Sequence, residues 1–206
     1  MNTYFKSLSV LVILCIMAAN TLQAQGKVGI RAGVLISKQD FQQGDVGVGF
    51  KSKAGADLAL VTEFPIGPVF AFSPEFHWMQ KGGKIEDLNG PIGETSRTFN
   101  YLEVPILFKL NFGEEVGFFL MAGPSIGYLL NGSDKDGDGN TNDIDLDFYK
   151  RAELGAHIGG GIALGPVKFD VRYIVGFSNI AHYTDLNGLQ VEVKNSGYGA
   201  GVSFMF

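Results

Sequence analysis

The chain has 206 residues, 46% of them hydrophobic and 18% charged, and a formal net charge of −5. Its single cysteine, Cys15, excludes an intramolecular disulfide and a cysteine-based metal site. The acidic balance argues against nucleic acid as a partner, and the length fits one domain.

The N-terminal segment predicts a secretory signal peptide. Lys6 is the only charged side chain in the first 26 residues, and the twelve residues from Leu8 onward are largely apolar. This stretch is too short for a membrane-spanning helix, which needs about 20 residues. We expect cleavage after Ala24, so that residues 1–24 are the signal and residues 25–206 form one domain. Without Lys6, 15 Lys and Arg face 21 Asp and Glu, a net charge of −6.

Eight segments then alternate with period 2, which predicts β-strands. One face of each segment is bulky and apolar, as with Val28 and Ile30 in the first or Phe204 and Phe206 in the last. The opposite face is mostly Gly, Ser and Ala with a few charges. The segments are 27–36, 56–64, 70–79, 101–112, 118–130, 153–164, 167–178 and 197–206.

The connections alternate in length. Tight turns rich in Gly and Pro join segments two and three, four and five, and six and seven, and the other four connections are long and polar. This alternation is typical of an outer-membrane barrel with short periplasmic turns and long surface loops. The long connections are expected near 38–53, 80–98, 131–148 and 179–192.

The small-residue face distinguishes a membrane barrel from a soluble one. A soluble barrel or sandwich would show the same period, but its water-facing side would be rich in charge. Small residues suit the narrow lumen of an eight-stranded barrel. The sequence therefore predicts an all-β, eight-stranded antiparallel up-and-down transmembrane barrel with a filled lumen and its bulky face toward lipid. Aromatic girdles are expected at both interfaces.

Two features bear on pairing and assembly. Pro74, Pro105 and Pro124 lie inside segments and each removes a ladder donor, so bulges or strand ends are expected there. The terminal Phe206 resembles the signal that the barrel-assembly machinery reads. We therefore expect that machinery and outer-membrane lipid as partners.

Four stretches resemble the PorT-type outer-membrane β-barrel family. They are 101–109 (YLEVPILFK), 122–128 (AGPSIGY), 155–161 (GAHIGGG) and Asp170 to Tyr173 (DVRY) followed by Gly176. The resemblance covers roughly residues 28–206 and implies an eight-stranded barrel with a filled lumen. It also implies, for some members, a place in a protein-secretion system of the outer membrane.

The third long connection carries a candidate metal site. In DKDGDGNTNDID, acidic residues stand at positions 1, 3, 5 and 12 and Gly139 stands at position 6, as in a calcium-binding loop. Thr141 and the absence of flanking helices depart from the template, and a solvated acidic loop is the alternative. The candidate ligands are Asp134, Asp136, Asp138, Asn140 and Asp145.

The inward-facing charges have two interpretations. They could form a proton or ion path, or a salt-bridge network that fills the lumen, since unpaired buried charge is costly. A diffusion pore is not expected, because aqueous channels need about 16 strands. These charges are Arg31, Asp57, Glu63, Glu75, Glu103, Lys109, Glu153, Lys168, Asp170 and Arg172.

A lipid-modifying enzyme is the rival function. His77, His157 and His182 could combine with Ser73, Ser125 or Ser178 and an acid into a hydrolytic triad if they lay within hydrogen-bond reach. We favour instead a non-enzymatic barrel, without firm cofactor, whose four surface loops serve envelope integrity, surface binding or a secretion complex. Its further partners would be envelope or secretion proteins.

Overall fold

The computed structural model describes residues 26–42, 48–87, 94–113, 116–180 and 192–206. They form nine antiparallel strands and one short 3₁₀ helix. The strands are β1 (Lys27–Gln42), β2 (Val48–Pro65), β3 (Phe70–Asp87), β4 (Glu94–Phe112), β5 (Val116–Lys135), β6 (Thr141–Asp143), β7 (Ala152–Leu164), β8 (Val167–Gly176) and β9 (Glu192–Met205), and the helix is Leu146–Phe148.

Eight of these strands close into a barrel. Each pairs with its neighbour in chain order, with β5 pairing to β7 across the short β6. The ring is closed by β1 and β9, which pair from Gly29 opposite Met205 to Gln42 opposite Glu192. The predicted eight-stranded antiparallel barrel is therefore confirmed. Residues 1–24, the predicted signal peptide, lie outside the described residues.

The two faces of the sheet follow the sequence period. Side chains predicted to face outward are exposed, for example Val28 at 45%, Phe118 at 57% and Val171 at 64%. Side chains predicted to face inward are buried, including all ten predicted inward charges. The barrel thus presents its apolar side chains outward and its polar ones inward, the reverse of a water-soluble protein.

The turns and long connections differ in how well they were predicted. The tight turns at 66–69 and 165–166 lie where expected, and Gly165 has a φ of 57°, a left-handed conformation that favours glycine. The connections predicted at 38–53 and 80–98 are wrong in extent, because β1 and β2 continue to Gln42 and from Val48. Strand β3 likewise continues to Asp87, and β4 begins at Glu94. Polar side chains do not prevent pairing when both edges of a strand have partners.

The prolines are accommodated differently from the expectation. The register shifts lie elsewhere, between Ser52 and Asp57 in β2 and beside Asn100 in β4. Near Pro74 the ladder is interrupted without a shift, and side chains replace the lost bonds. Thr62 Oγ1 donates to Pro74 O over 2.6 Å, and Ser73 Oγ donates to Thr62 O.

The third connection folds back over the barrel. The end of β5 forms a hairpin with β6, in which Asp134 lies opposite Asn142. The helix Leu146–Phe148 follows, and its neighbours return to the rim, where Lys150 N donates to Ile180 O over 2.8 Å. This segment covers one end of the lumen.

Candidate functional site

The middle of the lumen is crossed by a chain of ion pairs. Arg172 binds Glu75 over 2.9 Å and Asp170 over 2.5 Å. Arg31 continues the chain, because its Nε lies 2.9 Å from Asp170 and its Nη1 lies 2.5 Å from Asp57. These five side chains are buried and come from β1, β2, β3 and β8. They tie opposite walls of the barrel together.

His77 belongs to the same central group. Its Nδ1 lies 2.7 Å from Asp57 and its Nε2 lies 2.9 Å from Glu75. An ionised carboxylate can only accept, so both ring nitrogens must donate, which requires the imidazolium form. In the described lumen six buried carboxylates face five buried Lys and Arg side chains. One charged histidine therefore balances the interior.

A second group of charges lies toward the turn end of the barrel. Glu63 binds Lys168 over 2.6 Å and lies 3.8 Å from Lys109, which also reaches Glu75 over 3.0 Å. Both lysine ammonium groups lie 5.7–5.8 Å from the centre of the Phe119 ring. Because Lys109 lies close to Glu63 and also binds Glu75, it connects this group to the central one.

A third group lies toward the loop end. Lys81 binds Glu103 over 2.6 Å and Glu153 over 3.0 Å, and Asn195 donates to Glu153 over 3.2 Å. His157 Nε2 lies 2.7 Å from Glu103. No hydrogen bond between described side chains joins this group to the central one. The His77 and His157 rings approach edge to face, with centroids 6.0 Å apart.

An apolar cluster closes the lumen above the third group. Its members are buried on the strands, and the inward side of the third connection packs against it with Ile144, Leu146 and Tyr149. We call this cluster, together with Ile144, Leu146 and Tyr149, the apolar cover. Arg97 holds the third connection in place, because it donates to Asp134 over 2.7–2.9 Å and to the Tyr149 hydroxyl over 2.9 Å. The cluster consists of Leu35, Met79, Phe99, Tyr101, Leu129 and Ile174.

The predicted pairing of the lumen charges is confirmed, and all ten predicted side chains take part. Sequence reasoning missed Lys81, Asn195 and the apolar cover. The apolar alternation of this segment ends at Met79, so composition places Lys81 in the following connection. Inward side chains of β3 stand at odd-numbered positions, so the alternation, continued past Met79, would have predicted that Lys81 faces the lumen.

The candidate enzymatic residues that the structure describes do not form a triad. Neither His77 nor His157 hydrogen-bonds to a candidate serine, since both histidines bind carboxylates. Ser73 donates to a backbone carbonyl, and Ser178 Oγ accepts from Leu154 N over 2.9 Å. His182 lies outside the described residues.

Three of the four candidate carboxylate ligands have partners within the chain. Asp134 binds Arg97, Asp145 accepts from Asp147 N over 3.0 Å, and Asp136 accepts from Asn140 over 2.8–3.0 Å. The hydrogen bonds from Asn140 lower the pKa of Asp136.

The glycine of the candidate loop is placed as predicted, because Gly139 has a φ of 91°. Among the described residues, no three acidic, His or Cys side chains are grouped so as to hold a metal ion. Calcium binding stays a prediction.

The exposed apolar face also has a clear organisation. Trp78, Leu102 and Tyr128 form one outward rung at the loop side, and Phe112 stacks on Phe118 at the turn side with centroids 4.9 Å apart. Aromatic residues at both borders of an apolar band are typical of membrane barrels. In the part of the chain that the structure describes, no helix has the length and apolar character needed to cross a bilayer.

Residues 22–182 match the family described as outer membrane protein beta-barrel domain. The chain belongs to this family. It is thus an outer-membrane β-barrel protein, and its apolar exterior meets the lipid of that membrane. No curated protein matches the chain.

Several solved structures resemble this outer-membrane barrel. Ail of Yersinia pestis, solved with the heparin analogue sucrose octasulfate, is 16% identical with a TM-score of 0.46, covering 88% of this chain and 99% of Ail. Neisserial surface protein A is 18% identical with a TM-score of 0.45, covering 87% and 97%. OprG of Pseudomonas aeruginosa is 11% identical with a TM-score of 0.49, covering 88% and 96%. These similarities are too low to transfer any binding property to this chain.

Proposed function

We propose that this outer-membrane barrel has a structural or interaction role carried out at its extracellular surface, without transport through the lumen and without catalysis. The observation that carries the proposal is the filled lumen, where buried ion pairs lie beneath the apolar cover that Arg97 fastens. Such an interior leaves the lipid face and the loop end as working surfaces. Support of envelope integrity fits this role, and so does support of a secretion complex, which the PorT-type resemblance implies for some members.

Conductance of the purified full chain in planar bilayers tests this proposal. We expect no stable open state in the wild type, because ions would have to break the buried pairs and displace the apolar cover. A variant shortened across 141–150 serves as a comparison, since it removes the part of the apolar cover that the third connection contributes and leaves the strand residues of the cover and the ion pairs. A stable open state in the wild-type protein, sustained at low voltage, would contradict the proposal.

A cellular experiment separates the surface role from a purely structural one. Cells that lack the protein are complemented with the wild type or with the chain shortened across 141–150, and detergent sensitivity and protein secretion are measured. We expect the shortened chain to insert normally but to restore neither property fully. Full restoration would show that this part of the surface is dispensable.

The calcium site at Asp134, Asp136, Asp138, Asn140 and Asp145 is a separate proposal. Its affinity should be weak, on the order of 10⁻⁴–10⁻³ M, because calcium must replace partners that the chain already supplies. Calcium should slow proteolysis between residues 131 and 148, and Asp136→Ala with Asp138→Ala should remove the protection. Identical cleavage with calcium and with a chelator would exclude the site.

A further inference from the structure

Within the third group of lumen charges, a lysine amine and a side-chain amide meet at one carboxylate. Lys81 of β3 forms an ion pair of 3.0 Å with Glu153 of β7. Asn195 of β9 donates from Nδ2 to both oxygens of Glu153 over 3.2–3.3 Å. The atoms Lys81 Nζ and Asn195 Nδ2 therefore share one neighbour, Glu153 Oε2, although the two residues lie far apart in the chain.

These three side chains lie in a dry part of the lumen. Lys81 is 4% exposed, and Glu153 and Asn195 are each 2% exposed. Lys81 and Asn195 also line one small cavity together with Leu35 and Ile174 of the apolar cover, and this cavity is too narrow to admit a water molecule. An amine in such surroundings is a good nucleophile once it loses its proton, and no water competes with it.

The proton of the Lys81 ammonium has a place to go. Glu153 is its ion-pair partner, and transfer of the proton converts two buried charges into two neutral groups without changing the net charge of the interior. Removal of charge lowers the cost of burying both side chains. Glu153 can therefore act as the base that frees the amine.

The contacts of Asn195 suit attack on its amide carbon. Gln39 Nε2 lies 3.5 Å from Asn195 Oδ1, the oxygen that would gain negative charge in a tetrahedral intermediate. A fixed N–H group beside that oxygen stabilises the charge, above all where water is excluded. The leaving nitrogen, Nδ2, already lies beside Glu153, so the same carboxyl group can protonate it.

Asn195 is a better target for the amine than the other carboxyl carbon nearby. Glu103 lies closer to Lys81, at 2.6 Å, but it is ionised and also binds His157. The negative charge of a carboxylate opposes attack by a nucleophile, whereas the amide of Asn195 is neutral.

We propose that Lys81 and Asn195 become joined by an isopeptide bond that links β3 to β9 across the lumen. Glu153 takes a proton from the Lys81 ammonium, and the neutral Nζ attacks Asn195 Cγ. Glu153 then gives that proton to Nδ2 and takes a second proton from Nζ as the Cγ–Nδ2 bond breaks. Ammonia leaves, Glu153 stays neutral, and the reaction needs no oxidant or reductant.

The bond would fix the barrel wall beneath the apolar cover. Strands β3 and β9 are separated in the sheet by β2 and β1, so the link crosses the lumen instead of following the ladder. It goes beyond the proposed surface role and does not depend on it, because the reaction involves only buried groups.

Peptide mass spectrometry of the full chain, purified in folded form from the outer membrane, tests the proposal. Trypsin cleaves after Lys53, Lys84 and Lys194, so the link would join peptide 54–84 to peptide 195–206. We expect one species with the mass of both peptides less one ammonia, about 17 Da. Chain kept unfolded in urea should lack this species and should gain it after refolding.

Three variants test the roles of the side chains. Asn195→Ala should abolish the linked species. Glu153→Gln cannot carry the proton and should slow formation of the link about 100-fold or more during refolding. Lys84→Arg removes a different lysine of β3, keeps the trypsin site, and should leave the linked fraction unchanged.

The wild-type spectrum decides the proposal even if a variant fails to fold. Separate peptides from the folded wild-type protein would overturn it. A linked species that has lost water in place of ammonia would also overturn it, because the bond would then lie at Glu103 or Glu153. An unchanged rate of formation in Glu153→Gln would contradict the proposed reaction.

Discussion

Replacing Arg172 by leucine is expected to lower the free energy of unfolding of the barrel by about 3–5 kcal/mol. Arg172 is buried and binds both Glu75 and Asp170. The leucine would take one partner from each of these two buried carboxylates and leave the interior one positive charge short. Desolvated charge without a partner is among the most costly features a folded protein can contain.

Urea unfolding of the reconstituted protein measures this effect. The chain has one tryptophan, Trp78, which lies on the outward face and reports entry into lipid. The matched control is Lys194→Leu, which removes an exposed ion pair with Glu192 and should cost about 0–1 kcal/mol. A loss below about 1 kcal/mol for Arg172→Leu would show that the central ion pairs are hydrated rather than buried.

Val171 lies next to Arg172 in β8 but faces outward. Introducing arginine there should also be destabilising, in this case because it places a charge in lipid. Val171 is 64% exposed on the outer face, where the surroundings are lipid. An arginine near the middle of the bilayer costs about 2–4 kcal/mol in a membrane barrel. The side chain cannot turn inward, because the backbone of β8 directs it outward between the inward-facing Asp170 and Arg172.

Gly67→Arg is the matched control for Val171→Arg. Gly67 lies in the exposed turn 66–69, and an added side chain would meet nothing within 4 Å. We expect its free energy of unfolding to remain close to that of the wild type, measured by the same urea titration. Equal tolerance of arginine at both positions would contradict the assignment of faces in β8.

The barrel itself could be predicted because the pattern that identifies each strand lies within a short stretch of sequence. Period-2 alternation identifies each strand, and the difference between a bulky face and a small face identifies the side that meets lipid. The inward charges could likewise be identified from parity alone, and the structure pairs all ten of them.

The predictions that were wrong or missing concern features that depend on contacts between distant residues. The extension of β3 through Lys81 and Lys84 is polar, so composition indicated a loop while cross-strand pairing keeps it in the sheet. The apolar cover depends on Tyr149 reaching Phe99, fifty positions away, and no period reveals that contact. The register shift beside Asn100 also results from the fit between two strands rather than from either sequence.

The accessibility of a cysteine in the lumen tests the filled barrel most directly. In a chain with Cys15→Ser, single cysteines are placed at Ser125, which is buried in the lumen, at Ile126, which faces lipid, and at Thr141, which is exposed. A charged, water-soluble thiol reagent should modify Thr141→Cys rapidly and leave both other thiols unmodified. An uncharged, lipid-soluble reagent should modify Ile126→Cys. Rapid modification of Ser125→Cys by the charged reagent would show a water-filled lumen and contradict the account.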